Sequence, residues 1–237
     1  MRPSREKLDF TVYFRALGVF ARNPTVIVLP LLAGFAGVLV SQFNSASGDG
    51  IISSITIFIV LLLQLFALGV SVIIADAGWR NSKASFDDAW QDARRKSRDI
   101  LFAAFGLAFI LNIARYAGQI IGSGAISIIL LAIAVYGLIY TIPAASIGGI
   151  PGGGSISVSI DRVRGAPMTA ALLTVVTLVL FFYASGAITL ALLSLFNIES
   201  TLITALIEKT VQAVLTGYVA IVMAKVYTDV SFTAPRW

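Results

Sequence analysis

The segment TIPAASIGGIPGGGSISVSIDRVRGAP, Thr141–Pro167, is the longest interruption in the apolar second half of this 237-residue chain. It holds a Gly-rich joint, a short amphipathic piece and two arginines, Arg162 and Arg164. GGIPGGGS superficially suggests a phosphate cradle, but a P-loop requires Lys-Ser/Thr after its last glycine and Gly154 is followed by Ser-Ile. The glycines therefore read as a flexible hinge. SISVSID alternates with period two, as a strand does, yet a lone strand would have no partner in this chain. The spacing Ile156, Ile160, Val163 predicts instead a surface helix over about 156–165, before a new helix that starts at Pro167.

The flanks of this segment are membrane-like. The chain is 58% hydrophobic and 12% charged, with mean hydropathy +0.92. Soluble domains carry about a quarter charged residues. Apolar runs of spanning length occur at Pro24–Phe43 (Pro30 expected to kink it), Ile51–Ala75, Ile100–Ile121, Ala125–Ile147, Pro167–Phe196 and Thr201–Asp229. NSASGDG at 44–50, Gly122-Ser123-Gly124 and Asn197–Thr201 are the short turns. The first run starts behind a leader and can itself span, so no cleaved signal peptide is expected, and neither end carries a lipidation motif. Lys and Arg number 5 in the N-terminal segment, 6 in 76–99, 2 in 148–166 and 2 at the C-terminus, which is 15 of 17. By the positive-inside rule these four segments are cytoplasmic. The fold expected is an all-α integral membrane protein with six transmembrane helices, N-in and C-in, in a prokaryotic inner (plasma) membrane. Trp237 is expected at the interface.

Two further stretches resemble the opening one. Leu8–Arg22 spaces Phe10, Tyr13, Phe14, Leu17, Phe20 and Ala21 as one face of an interfacial helix; the competing reading is an early turn of the first span. In the 76–99 loop, Ser85-Phe86-Asp87-Asp88 resembles a capping box, and Phe86, Ala89, Trp90 and Ala93 form a stripe. Aligning Ser85 with Ser155 superimposes Ala75 on Ala145, Gly78 on Gly148 and Arg94 on Arg164. One membrane domain, 1–237, is thus expected to hold three repeats of amphipathic helix plus transmembrane hairpin, at about 8–75, 76–147 and 148–229.

The pieces RNPTVIVLPLLAGF, SFDDAWQDARRKSRDILFAAF and IPAASIGGIPGGGSISVSIDRVRGAP resemble a group of prokaryotic six-span proteins. It includes the membrane domain found beside glycerophosphodiester phosphodiesterases and its stand-alone relatives. The resemblance implies a Ser-led amphipathic helix with basic residues before a span. This chain departs from that pattern in its Gly-rich GGIPGGGS and its few charges in the second loop. The phosphodiesterase activity of the fused proteins belongs to a separate barrel that needs acidic and His residues, so the resemblance implies no such activity here.

The absence of Cys and His removes thiolate chemistry, the commonest general base and the commonest transition-metal ligand. Ser41, Ser71, Ser127 and Ser185 have no visible base. Asp87, Asp88 and Asp92 read as a solvated helix face, so neither a metal site nor a cofactor is expected. Arg115 and Glu208 lie at matching depth in spans three and six, and an unpaired charge in hydrocarbon is costly. They are expected to pair, with Asn112, Gln119, Lys209 and Gln212 around them, either as a structural bridge or as a substrate site. Gly118-x-x-x-Gly122 permits close helix contact. Arg94, Arg95, Lys96, Arg98, Arg162 and Arg164 are candidates for anionic-lipid contact. The functional expectation is a non-enzymatic polytopic membrane protein acting through membrane lipids or a membrane-protein partner, with no nucleic acid. The alternative is a transporter or channel for a small solute or lipid-like substrate, with a polar site between spans three and six.

Overall fold

A computed structural model describes residues 8–47, 50–122, 124–198 and 200–233, with side chains at 43–53, 118–119 and 231–233 outside that description. Arg2, Arg5, Lys7, Arg236 and Trp237 also lie outside the described residues. The described chain is helical, without strands, and contains six helices long and apolar enough to cross a membrane. In chain order the elements are α1 (Thr11–Arg22), a 3-10 turn (Pro24–Ile27), α2 (Val28–Ser47), α3 (Gly50–Asn81), α4 (Phe86–Arg95) and α5 (Ser97–Ile120). They continue with α6 (Gly124–Leu138), α7 (Thr141–Ser146), α8 (Gly152–Gly165), α9 (Pro167–Val179), a π-helical turn (Leu180–Ala184), α10 (Ser185–Phe196) and α11 (Thr201–Thr233). The spans are α2 with its 3-10 turn, α3, α5, α6–α7, α9–α10 and α11.

The helix expected over 156–165 is present and longer, because the glycines form its first turn rather than a free hinge. Two of them are required by geometry. Gly149 turns the chain at φ +66, a region that costs other L-residues. Gly152 sets α8 against α5: a Cβ there would fall 2.5 Å from the Asp99 carbonyl oxygen and 2.6 Å from Phe102 Cβ. The Asp99 carboxylate accepts the Gly152 N–H at 3.2 Å. The buried face of α8 is Gly152, Ser155, Ser159 and Val163, while Ile160 is exposed. Of the apolar stripe, Val163 lies on the buried face and Ile156 packs part-buried against α5, while Ile160 misses it; the small residues fill the rest of that face and allow the closer helix approach.

The fourth span is broken at Ile139–Tyr140, where an uninterrupted helix was expected. Pro143 has no N–H to donate to the Ile139 carbonyl, and Ser159 of α8 occupies the gap. Its hydroxyl accepts the Tyr140 N–H at 3.1 Å and donates to the Gly137 carbonyl at 3.0 Å. Freed backbone groups inside a membrane need such replacement partners. Ser159→Ala is expected to lower stability by about 1–3 kcal/mol, read by thermal melting in detergent. A Ser159→Ala melting point equal to wild type would contradict this role.

Asn23 separates α1 from the first span, which excludes an early turn of that span. Pro30 falls in the first turn of α2, where proline is tolerated, so it has no kink to make. α1 buries Val12, Ala16 and Val19, whereas Phe10, Phe14 and Leu17 of the expected stripe are exposed. In α4, Ser85 is the N-cap and accepts the Asp88 N–H at 3.4 Å, and Ala89 and Ala93 are buried while Trp90 is exposed. Burial pushes the Tyr13 phenol of α1 up to about 12. Tyr218 of α11 donates to the Tyr13 carbonyl at 3.0 Å, which fastens α1 to the sixth span.

The spans pack in a ring in chain order, α2 on α3, α3 on α5, α5 on α6, α6 on α9, α10 on α11 and α11 on α2; α3 also meets α11 across the ring. The half that carries α1, α4 and α8 holds the packed core of the bundle. Ile74, Ile100, Tyr140, Ile142, Leu173, Ile221 and Val222 are fully buried there. The other half is where the ring opens.

Candidate functional site: a cavity lined by all six spans

At the end away from α4 and α8 a cavity of about 540 Å³ lies between the spans. Each span contributes to its wall: Gly37, Val40 and Ser41 from α2; Thr56, Val60 and Gln64 from α3; Leu111, Asn112 and Arg115 from α5. Ser127, Ile128 and Leu131 come from α6, Phe182 from the π turn and Lys209 from α11. Arg115 stands five residues before the end of α5 and Lys209 eight after the start of α11, so both lie roughly 10 Å from the helix ends. Among the described residues they are the basic side chains at this end of the bundle, and both reach the same space.

The sequence places α5 and α11 correctly in depth, but the expected pair does not form. Among the described residues no salt bridge joins Arg115 to Glu208. Glu208 instead accepts from Gln212 Nε2 at 2.8 Å, and Lys209 Nζ lies 2.9 Å from Gln212 Oε1 and 4.0 Å from Glu208 Oε1. The cause is helical spacing: Glu208 and Gln212 are i, i+4 on one face of α11, and Glu208 is not among the cavity-lining residues. Asn112 lines the cavity and donates to the Ala108 carbonyl at 2.9 Å. Gln119 belongs to α5, with its side chain outside the described residues.

The wall combines two cations and a few neutral polar groups with a broad apolar surface, and among the described residues no acidic side chain lines it. Gly34, one turn from the lining Gly37, lies beside Lys209, where an added Cβ would come within 3.1 Å of Lys209 Cβ. This small-residue face of α2 leaves room for the lysine stem between the first and sixth spans. Ser41 and Ser127 spend their hydroxyls on the Val38 and Arg115 carbonyls at 2.7 and 3.5 Å, and Ser71 donates to the Val26 carbonyl. These bonds are structural and leave none of the three serines with a base. Chemically, the site can hold an anionic group between Arg115 and Lys209 beside an apolar moiety.

Sequence reasoning missed Gln64, Thr56 and Phe182. Gln64 carried a legible signal as the lone amide in IVLLLQLF, since a polar side chain within a span tends to face the bundle interior. Phe182 carried none, because the π turn that presents it has no sequence signature. The expected Gly118–Gly122 contact is not made at Gly122, which sits in the turn after α5 at φ +73, where an added Cβ would meet nothing within 4 Å; Gly118 falls outside the side-chain description.

The other basic candidates cluster at the opposite end and divide by task. Lys96 donates to the Ser146 carbonyl at 2.9 Å and Arg162 to the Val230 carbonyl at 3.3 Å, each engaging a carbonyl near the end of a neighbouring helix. Arg98 lies over the Phe102 ring at 5.8 Å. Arg94 and Arg95 are exposed, and Arg164 is exposed beside Asp161 at 3.8 Å. Asp88 and Asp92 border a second, polar cavity of about 600 Å³ under α4, together with Asp76, Arg80 and Arg95. Among the described residues no group of three metal-ligating side chains converges.

Comparison with known proteins gives no match to a family model, a curated protein or a solved structure.

Proposed function

We propose that this chain is a non-enzymatic multi-pass protein of a prokaryotic plasma membrane that works by reversibly binding an anionic ligand in the six-span cavity. The observation that carries this reading is the convergence of Arg115 and Lys209 on one space with no acidic lining residue among the described residues. Cations are costly at membrane depth and face functional interiors when present. The lack of His and Cys argues against acid–base, thiol or metal chemistry at the site. Orientation with both termini cytoplasmic rests on the 15 of 17 basic residues assigned to one side. It would place the cavity on the outer side, and Arg94, Arg95 and Arg164 against cytoplasmic anionic headgroups.

The positions of α1, α4 and α8, each before a hairpin of spans, support three repeats related by an axis along the membrane normal. The resemblance to the six-span group beside glycerophosphodiester phosphodiesterases is part of the same proposal and carries no phosphodiesterase activity with it. A second reading, transport, is favoured by the contribution of every span to the cavity wall; it requires the packed core around Tyr140 and Ile221 to open.

The test compares dihexanoyl phosphatidic acid with its phosphatidylcholine counterpart as thermal stabilisers of the purified protein. The anionic lipid is expected to raise the melting temperature of wild type and to lose that effect in Arg115→Gln/Lys209→Gln. Equal shifts for both lipids, or a shift that survives the double substitution, would sink the proposal.

A further inference from the structure

The cavity wall is uneven, and its weak side faces the surrounding bilayer. The fifth span contributes only Phe182 to the lining, and α10 contributes nothing. The reason is how the fifth span packs. Its first half, α9, lies against α6 and α8, whereas its second half, α10, lies against α11. Among the described residues α6 and α10 make no more than grazing contact. Between α9 and α10 sits the π-helical turn Leu180–Ala184. An extra residue in a turn rotates the helix beyond it, and such turns occur mostly at functional positions. Here the turn directs α10 toward the sixth span and leaves a gap beside the fourth.

Exposure marks the same gap. Ile128 and Phe182 both line the cavity, yet they are 59% and 53% exposed. They form a rim rather than a floor. Ile129, Ile133, Tyr183 and Leu190 continue an exposed apolar surface along the two flanking helices. Arg115 is exposed as well, whereas Lys209 is only 26% exposed at the far side, beside Gly34.

From this geometry, and resting on the anion-binding reading above, we infer that the ligand is a membrane amphiphile with a phosphate or carboxylate headgroup, admitted sideways between α6 and α10. The headgroup lies between Arg115 and Lys209, with Asn112 and Gln64 as neutral neighbours. The apolar chain passes over Leu131 and out between Ile128 and Phe182. A water-soluble anion would need no apolar rim opening between two spans. A lipid needs one, because withdrawing its chain into water costs about 0.8 kcal/mol per CH₂.

The experiment uses the full chain in phosphatidylcholine vesicles doped with a phosphatidic acid that carries a diazirine in one acyl chain. After irradiation, adducts are mapped by peptide mass spectrometry. They are expected to concentrate on 127–135 of α6 and on 180–184. Arg115→Gln/Lys209→Gln is expected to lower them about tenfold or more, the scale of losing one charged hydrogen bond. Ile128→Trp narrows the rim at an exposed position and is expected to lower labelling while leaving the melting temperature in place. Adducts spread evenly over all exposed spans, or insensitive to both variants, would overturn the inference. Equilibrium binding of inorganic phosphate separates the two levels. Phosphate binding that depends on Arg115 and Lys209, without concentrated acyl labelling, overturns lateral access and leaves the anion site standing. Absence of both overturns the site as well.

Discussion

Gly152→Ala is expected to destabilise the protein by about 3 kcal/mol, combining overpacking of about 1–3 kcal/mol with strain on a part-buried hydrogen bond. The new methyl would meet the Asp99 carbonyl oxygen at 2.5 Å, Phe102 Cβ at 2.6 Å and the Ala103 nitrogen at 3.2 Å. Two of these are backbone atoms of α5, which cannot swing aside. α8 must therefore withdraw, and its withdrawal strains the Gly152 N–H bond to Asp99 and pulls Ser159 out of the break in the fourth span. Gly153→Ala is the control: its Cβ meets nothing within 4 Å, and alanine is the better helix former by about 0.5–1 kcal/mol. Thermal melting in one detergent compares the two. A Gly152→Ala protein as stable as Gly153→Ala would show that α8 does not dock where described.

The second large effect is expected at Asn23, which is 3% exposed and bonded on three sides. Its amide donates to the Val19 carbonyl at 2.9 Å and to the Ser82 carbonyl at 3.1 Å, and its oxygen accepts the Ala84 N–H at 2.7 Å. One side chain thus ends α1 and holds the 82–84 turn, in which Ser82 has φ 65. Asn23→Ala leaves the Ala84 N–H and two carbonyls without these partners, and the expected loss is about 2–4 kcal/mol. Asn23→Asp keeps the acceptor for Ala84 but loses both donors and buries a charge, so it should not rescue. Full stability of Asn23→Ala would contradict the assignment of this residue as the clasp between α1 and the loop before α4.

Both sites show where the sequence was legible. Apolar runs of spanning length identified all six spans, because bilayer thickness imposes length and hydropathy directly on composition. Ser85 announced the start of α4, and Pro167 that of α9, since caps and first-turn prolines are local chemistry. Tertiary packing was less legible. Ile156, Ile160 and Val163 formed the better apolar stripe, but lipid is as apolar as a protein interior. Hydrophobicity in a membrane therefore does not tell the protein-facing side of a helix from the lipid-facing side. The serines and Gly152 of α8 did mark the packed face, as did Val12, Ala16 and Val19 beneath the aromatics of α1. Arg115 and Lys209 stood out at the right depth. Their relation did not, because depth along two helices says nothing about which way each residue points around its axis. Glu208 is one position from Lys209 and about 100° away from it on the helix.

The proposed function stands on a cavity that opens on the side opposite the basic loops and is closed below by a packed core. The natural absence of cysteine makes the decisive measurement direct. Single cysteines at Ser41, Gln64 and Ser127 report the cavity, Ile74 and Ile221 report the core, and Arg94 reports the basic side. Each is probed with a membrane-impermeant maleimide in vesicles of known orientation. Labelling is expected for Ser41→Cys, Gln64→Cys and Ser127→Cys from the outer face, for Arg94→Cys from the cytoplasmic face, and for Ile74→Cys and Ile221→Cys from neither. Unreactive cavity positions, or cavity positions that react from the same face as Arg94→Cys, would contradict it.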